Sequence, residues 1–273
     1  MKLTKIPYTL LGLGLFFSAF VGISQSEELF ATNLGLTGSI LTPSPYTRKI
    51  EESTISWYGY FFDERDASTF RMENGAQHWL SLSAGITGNI EAAFARESYT
   101  GSSNRRGRNY WSLKYQFPVE TIPMAISAVV PGSNRDYTTL MMSFGWTRFH
   151  FGAGTTFGGR KLLETNVGTF NDYGTGLFGG YRLRSVLPNR NVLANQSLVE
   201  GEPEQFFGFA GGQVALGRNF QLLYDYNGDV VSGGFRLSLD TTTFQLNWVS
   251  ESDYDRLFGR DTSNVVASAQ YKF

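Results

Sequence analysis

The 273 residues carry no cysteine, 23 Lys and Arg against 24 Asp and Glu, and a formal net charge of −1. So even a balance gives no bulk attraction to nucleic acid, and the missing thiols exclude a disulfide framework, a thiolate metal site and a lipidated cysteine anchor. Only 17% of residues are charged, whereas Gly, Phe and Tyr number 31, 23 and 14. Mean hydropathy is −0.20, a value that soluble proteins share with barrels whose apolar outside and polar inside average out.

At the start of the chain, Lys2 and Lys5 precede an apolar run from Ile6 to Ile23, and Ser24, Gln25 and Ser26 follow it. A basic start, an apolar stretch and a small-residue exit predict a cleaved signal peptide over residues 1–26, cut near Ser24 or Ser26. A membrane anchor is the competing reading. Pro7, Gly12 and Gly14 weaken it, and no later segment approaches the ~20 apolar residues of a spanning helix. Residues 27–52 then read as a periplasmic segment, and residues 53–273 as a barrel.

From residue 53 the chain falls into alternating segments of ~9–11 residues, the length of a tilted membrane strand. They are Thr54–Asp63, Gln77–Ile86, Ile90–Tyr99, Asn109–Phe117, Met124–Val130, Thr139–Thr147, Phe149–Phe157, Phe206–Leu216, Phe220–Tyr226, Val231–Leu239, Thr243–Ser250 and Val265–Phe273. Several have clean faces. Trp111, Leu113 and Tyr115 oppose Ser112, Lys114 and Gln116; Phe235, Leu237 and Leu239 oppose Arg236, Ser238 and Asp240. Charges facing lipid are costly, so Lys114, Asp225, Arg236, Asp240 and Lys272 are expected to line the interior. Tyr and Trp recur near strand ends (Trp57, Tyr60, Trp79, Tyr99, Tyr110, Trp111, Trp146, Tyr226, Trp248, Tyr271), as interfacial girdles would.

Connection lengths test this reading. Residues 87–89, 147–149, 217–219 and 240–242 are tight turns, whereas 63–76, 100–108 and 252–264 are long and polar. Barrels of this class keep short turns in the periplasm and long loops outside. Strict alternation holds with twelve strands if 158–205 is one outer loop, and with fourteen if that region adds a hairpin near 176–184; thirteen breaks it. The expected fold is all-β, a transmembrane antiparallel barrel of about twelve strands. Its last strand, ending at Tyr271 and Phe273, resembles the signal that outer-membrane assembly machinery recognises.

Ahead of the first barrel strand stands Gly35-Leu36-Thr37-Gly38-Ser39-Ile40-Leu41-Thr42-Pro43-Ser44. Later come Phe206-Phe207-Gly208 and Leu222-Leu223-Tyr224-Asp225-Tyr226-Asn227-Gly228-Asp229. These blocks resemble the opening and the late block of YjbH-like proteins, outer-membrane barrels associated with exopolysaccharide biosynthesis. Asp225 and Tyr226 depart from that family's usual Glu-Tyr-Asp order. The resemblance implies an envelope location and a polysaccharide connection and fixes no mechanism. The expected location is the bacterial outer membrane, and the expected role is transport or an accessory part in exporting or positioning a polysaccharide or other polar solute. A structural or adhesive barrel with a closed lumen is the alternative, and an outer-membrane hydrolase a weaker one.

Chemistry-bearing residues are sparse. His78 and His150 are the two histidines, on opposite rims of the expected barrel, so neither completes a Ser-His pair with the other's neighbours. No His, Cys or carboxylate spacing indicates a metal, and no cofactor motif occurs. The carboxylates of residues 200–204 and 251–261 read as solvated loop charge. Arg105, Arg106 and Arg108 in one outer loop, with Arg182, Arg184 and Arg190 in another, are the candidate ligand residues, suited to lipopolysaccharide phosphates or acidic sugars. The expected partners are outer-membrane lipids and lipopolysaccharide, the assembly machinery and a polysaccharide, with no nucleic acid and a monomeric barrel.

Overall fold

The computed structural model describes residues 30–65, 72–100, 108–119, 121–132, 137–158, 162–165, 187–189, 198–201, 206–227, 231–250 and 261–273. The expected signal peptide, and Arg105, Arg106, Arg182, Arg184 and Arg190, lie outside them. Two short strands, β1 (Phe30–Ala31) and β2 (Thr37–Gly38), come first. Seven long strands follow: β3 (Ser53–Arg65), β4 (Met72–Thr87), β5 (Ile90–Thr100), β6 (Arg108–Phe117), β7 (Met124–Pro131), β8 (Tyr137–Trp146) and β9 (Phe149–Gly158). After β10 (Leu162–Thr165), β11 (Leu187–Asn189) and β12 (Leu198–Gly201) come β13 (Phe206–Ala215), β14 (Phe220–Tyr226), β15 (Val231–Leu239), β16 (Thr242–Val249) and β17 (Asp261–Lys272).

Strands β3–β9 and β13–β17 close into a twelve-stranded antiparallel barrel, β9 pairing with β13 and β17 with β3. Period-2 alternation makes this wall. Along β15, Arg236 is fully buried while its neighbour Leu237 is 40% exposed on the outside. The same switch separates Lys114 from Leu113 and Tyr115, and Gln245 from Phe244 and Leu246. Connections 88–89, 118–123, 147–148, 216–219 and 240–241 share one rim, and the two-residue turns among them (88–89, 147–148, 240–241) are flanked by longer connections on the other rim. The barrel has the twelve strands expected, and the region that a fourteen-strand reading would have needed as a hairpin contributes β10, β12 and β11 as a separate three-stranded sheet.

Closure brings both ends of the barrel segment to the short-turn rim. Phe273 and Ser53 exchange backbone hydrogen bonds of 3.0 and 3.2 Å, and Tyr271 stands opposite Ile55. Tyr271 and Phe273 face outward with their rings stacked 6.3 Å apart. The wall is uneven. Strands β3 and β4 have 13 and 16 residues, β14 and β16 only 7 and 8, so at ~3.3 Å per residue one side stands far taller than the other.

The segment expected to lie in the periplasm ahead of the barrel is folded inside it. Residues 30–48 turn back on themselves through the β1–β2 pair and the Gly38–Pro43 bridge, and most of their side chains are buried against the inward face of the wall. The physical reason is that the interior offers this segment both an apolar surface and polar partners. Phe30, Leu34, Leu36, Ile40 and Leu41 join Tyr58, Trp79, Tyr110, Met141, Phe207, Phe209 and Leu223 in one cluster, at ~1.5–3 kcal/mol for each large side chain buried. Gly35, at φ 83, fits where a Cβ would lie 2.7 Å from that of Ala93, so only glycine takes the turn and the close approach together. Trp79 and Tyr110, expected in the outer girdles, therefore point inward, and Tyr60 packs against the same cluster. Trp57, Trp111, Trp146, Tyr226, Trp248 and Tyr271 do face out.

Candidate functional site

The chemistry of this barrel is concentrated where the lumen wall grips residues 30–48, and it does so from two sides. On β5 and β6, Glu91 accepts the Thr37 amide at 2.9 Å and the Thr37 hydroxyl. Lys114 Nζ donates to the Thr37 carbonyl at 2.6 Å, the Thr37 hydroxyl at 3.0 Å and the Tyr46 carbonyl at 3.0 Å. Glu91 lies 3.6 Å from Lys114 and 3.9 Å from Arg48, and all three side chains are buried. Burial lowers the pKa of Arg48, and Glu91 and Glu52 pull it back up. A carboxylate removed from water is tolerable here because cations and N–H donors surround it.

Across the lumen, Asp225 Oδ2 accepts three successive amides, from Ile40, Leu41 and Thr42, at 3.0, 2.5 and 2.9 Å. This is an anion in a cradle of consecutive main-chain N–H groups, with the anion supplied by the wall. Thr42 Oγ1 donates to Asp225 Oδ1 at 2.6 Å and lies 3.0 Å from His150 Nε2. His150, Gly211 and Asp225 are register neighbours on β9, β13 and β14. A Cβ on Gly211 would sit 2.7 Å from Thr42 Oγ1 and 2.8 Å from Asp225 Oδ1, so the absence of a side chain there lets the segment touch the wall. The Thr42 hydroxyl donates to a carboxylate that also takes three amides of its own segment, so the contact fastens this chain to the wall.

Arg236 completes the second grip. It donates to Gln245 at 3.1 Å, Gln213 at 2.6 Å, Gln221 at 3.2 Å and the Ser39 carbonyl at 2.9 Å, and its guanidinium stands 4.5 Å from the centre of the Phe30 ring. Nearby, the Ala31 amide donates to Gln270 at 2.8 Å, and Tyr58 donates its hydroxyl to the Ala31 carbonyl at 2.6 Å.

Of the residues expected to line the lumen, Lys114, Asp225 and Arg236 do so and converge on residues 30–48. Lys272 is at the short-turn rim, 2.8 Å from Glu52. Asp240 is not in the lumen. It occupies the β15–β16 turn at φ 47, exposed, because the alternation of β15 ends one residue earlier. Arg108, expected in a loop, is the first residue of β6 and stands in register with Glu97. His78 stacks on Trp57 with ring centres 5.9 Å apart, and its register neighbour Gly59 shares the face of Trp57. Glu91, Tyr58, Gln270 and His150 were missed as contacts of the lumen segment. The available signal was large aromatics at inward parity (Tyr58, Trp79, Tyr110), which water alone would not cover.

A closed barrel with an apolar, aromatic outer face and buried charges within, ended by an outward terminal aromatic, is a bacterial outer-membrane β-barrel. Its short-turn rim, which carries both barrel termini, is the periplasmic side by the usual rule. No family model matches the chain, and no curated protein does. Among solved structures it is similar to the Acinetobacter baumannii outer membrane protein Omp33, at TM-score 0.41 and 11% identity over 82% of this chain and 99% of that one. It is also similar to the translocator domain of the autotransporter NalP from Neisseria meningitidis, at TM-score 0.33 and 11% identity over 83% and 90% of the two chains.

Proposed function

We propose that the barrel serves the movement or positioning of a polar, polyhydroxylated solute of the polysaccharide class, and that residues 30–48 hold it closed at rest. The observation that carries this reading is the character of the grip. Asp225, Lys114, Glu91 and Arg236 hold the segment through its main-chain N–H and C=O groups, the kind of contact that a solvated solute can replace. A permanently filled barrel needs only the apolar cluster. The two sequence blocks that resemble YjbH-like proteins meet here, Thr42 from the first on Asp225 from the second, which supports the polysaccharide connection.

The test is conductance of the purified full chain in planar bilayers. Because a Cβ on Gly211 lies 2.7 Å from Thr42 Oγ1 and the chain has no other thiol, Thr42→Cys with Gly211→Cys gives one definable cross-link. The oxidised protein is expected to stay closed, and the reduced protein to show openings that wild type also shows at lower frequency. Absence of openings in wild type and reduced protein alike, with the cross-link formed, overturns the transport reading and leaves a structural barrel.

A further inference from the structure

One row of side chains crosses the inner wall at a single register level. Gln221 on β14, Arg236 on β15, Gln245 on β16 and Ser268 on β17 are direct cross-strand neighbours, and the row continues to Tyr58 on β3 and Trp79 on β4. On the same face Gln213 and Asn247 lie one register level away and Ser232 two. The row is therefore polar at one end and aromatic at the other, with a fully buried guanidinium in the polar half.

The lumen segment sits on this row. Ser39 presents its carbonyl to Arg236, Phe30 covers both the guanidinium and the Tyr58 ring (6.2 Å, edge-on), and the Ala31 carbonyl takes the Tyr58 hydroxyl. Yet it does not use everything the row offers. Gln245 Nε2, both amide atoms of Asn247, Ser232 Oγ and Trp79 Nε1 are buried and have no hydrogen-bond partner among the described residues, although their residues are at most 3% exposed. Buried polar atoms are rarely left so, and here those of Ser232, Gln245 and Asn247 lie on the strand of Arg236 or on its neighbour β16. A guanidinium among amides and hydroxyls, next to aromatic faces, is the donor set that recognises sugars: hydroxyl or carboxylate oxygens take the N–H groups, and the apolar face of the ring lies on the aromatics.

We propose that this row, with Arg236, Gln213, Gln221, Gln245 and Asn247 as its polar contacts and Tyr58 and Trp79 as its stacking surface, is a glycan-binding site that residues 30–31 and 39 occupy at rest. Release of Ile40–Thr42 from Asp225 uncovers it. This rests on the reading of the barrel as one that serves a polar solute, and it adds which wall binds that solute and what competes with it.

The test is calorimetric titration of the full chain in detergent with maltohexaose and with a hexagalacturonate, a neutral and an acidic probe. Asp225→Ala, which frees the segment, is expected to bind at least one probe about tenfold or more tighter than wild type. Asn247→Leu, placed on the Asp225→Ala background, is expected to reverse that gain while leaving heat-modifiable migration unchanged, since Asn247 has no partner to lose. Should Asp225→Ala fold poorly, the reduced and oxidised forms of the Thr42→Cys, Gly211→Cys protein supply the same contrast, with tighter binding in the reduced form. Equal affinity in released and locked forms, or a gain that Asn247→Leu does not touch, overturns the site. If conductance opens on release while neither probe binds, the site fails and the transport reading stands; if the released barrel neither conducts nor binds, both fail.

Discussion

The two sides that hold the lumen segment use their charges differently. On the β5–β6 side, Glu91, Lys114 and Arg48 lie 3.6 and 3.9 Å apart and neutralise one another, next to the point where the chain enters the wall at Ser53. On the far side, the Asp225 carboxylate takes main-chain N–H groups of the segment and the Arg236 guanidinium one of its main-chain carbonyls. The first arrangement brings its own countercharges together, Lys114 of the wall and Arg48 of the segment around Glu91, and anchors the tether. In the second, Asp225 takes its N–H partners from the segment, while Arg236 also holds Gln213, Gln221 and Gln245 of the wall, so under the proposed function this side is the latch. One fold thus contains a permanent and a releasable half of the same contact.

Breaking the anchor has the largest expected effect. Glu91→Leu leaves buried Lys114 and Arg48 without their carboxylate and should cost ~3–5 kcal/mol, read as a lowered urea midpoint of the heat-modifiable band. If the loss is under ~1 kcal/mol, the anchor is no anchor. On the lipid side, Leu246→Arg should cost ~2–4 kcal/mol near mid-bilayer, whereas Ser238→Arg, of opposite parity, should cost less in the same refolding assay. Equal costs would reverse the faces. Asp225→Ala removes one acceptor from three amides and should cost ~1–3 kcal/mol, less than Glu91→Leu, while opening the lumen to conductance. A larger loss than at Glu91 would invert the comparison. Smallest is Lys272→Ala, whose partner Glu52 sits at a wet rim; ~0–1 kcal/mol is expected, and a bigger shift would make the rim part of the anchor.

What was legible in the sequence follows the same division. The outer face repeats one rule, apolar at every second residue, so the twelve strands and their outward residues could be read from Trp111, Leu113, Leu237 and Leu246 without knowing anything of the interior. The contrast of the tightest turns, 87–89, 147–149 and 240–242, with the long connections 63–76, 100–108 and 252–264 then supported an even strand number. The rule failed where a strand stops: counting parity through Leu239 placed Asp240 on the wall, but its φ of 47 belongs to the turn. It failed again at Trp79 and Tyr110, taken as girdle residues by type although their parity is that of Ser81 and Ser112.

Residues 30–48 were illegible for a different reason. They contain no alternation or helical period of their own, because their conformation is set by what the wall offers: a carboxylate for Ile40–Thr42, an ammonium for Thr37 and Tyr46, an open wall at Gly211. Period-based reading sees a segment's own faces. It does not see a partner that lies 183 residues away in the chain, as Asp225 does from Thr42. The motif was visible before its place was.

The most direct measurement is therefore the accessibility of that motif. In this cysteine-free chain a single Thr42→Cys thiol can be followed with a bulky, water-soluble maleimide on the folded barrel, with Val119→Cys on the exposed short-turn rim as the reference. The lumen placement predicts labelling at Thr42→Cys at least ~10-fold slower than at Val119→Cys, as expected when a site reacts only from a minor open state, and equal rates once the protein is unfolded. Equally fast labelling of both positions in the folded barrel would contradict it, and residues 30–48 would then hang outside the lumen.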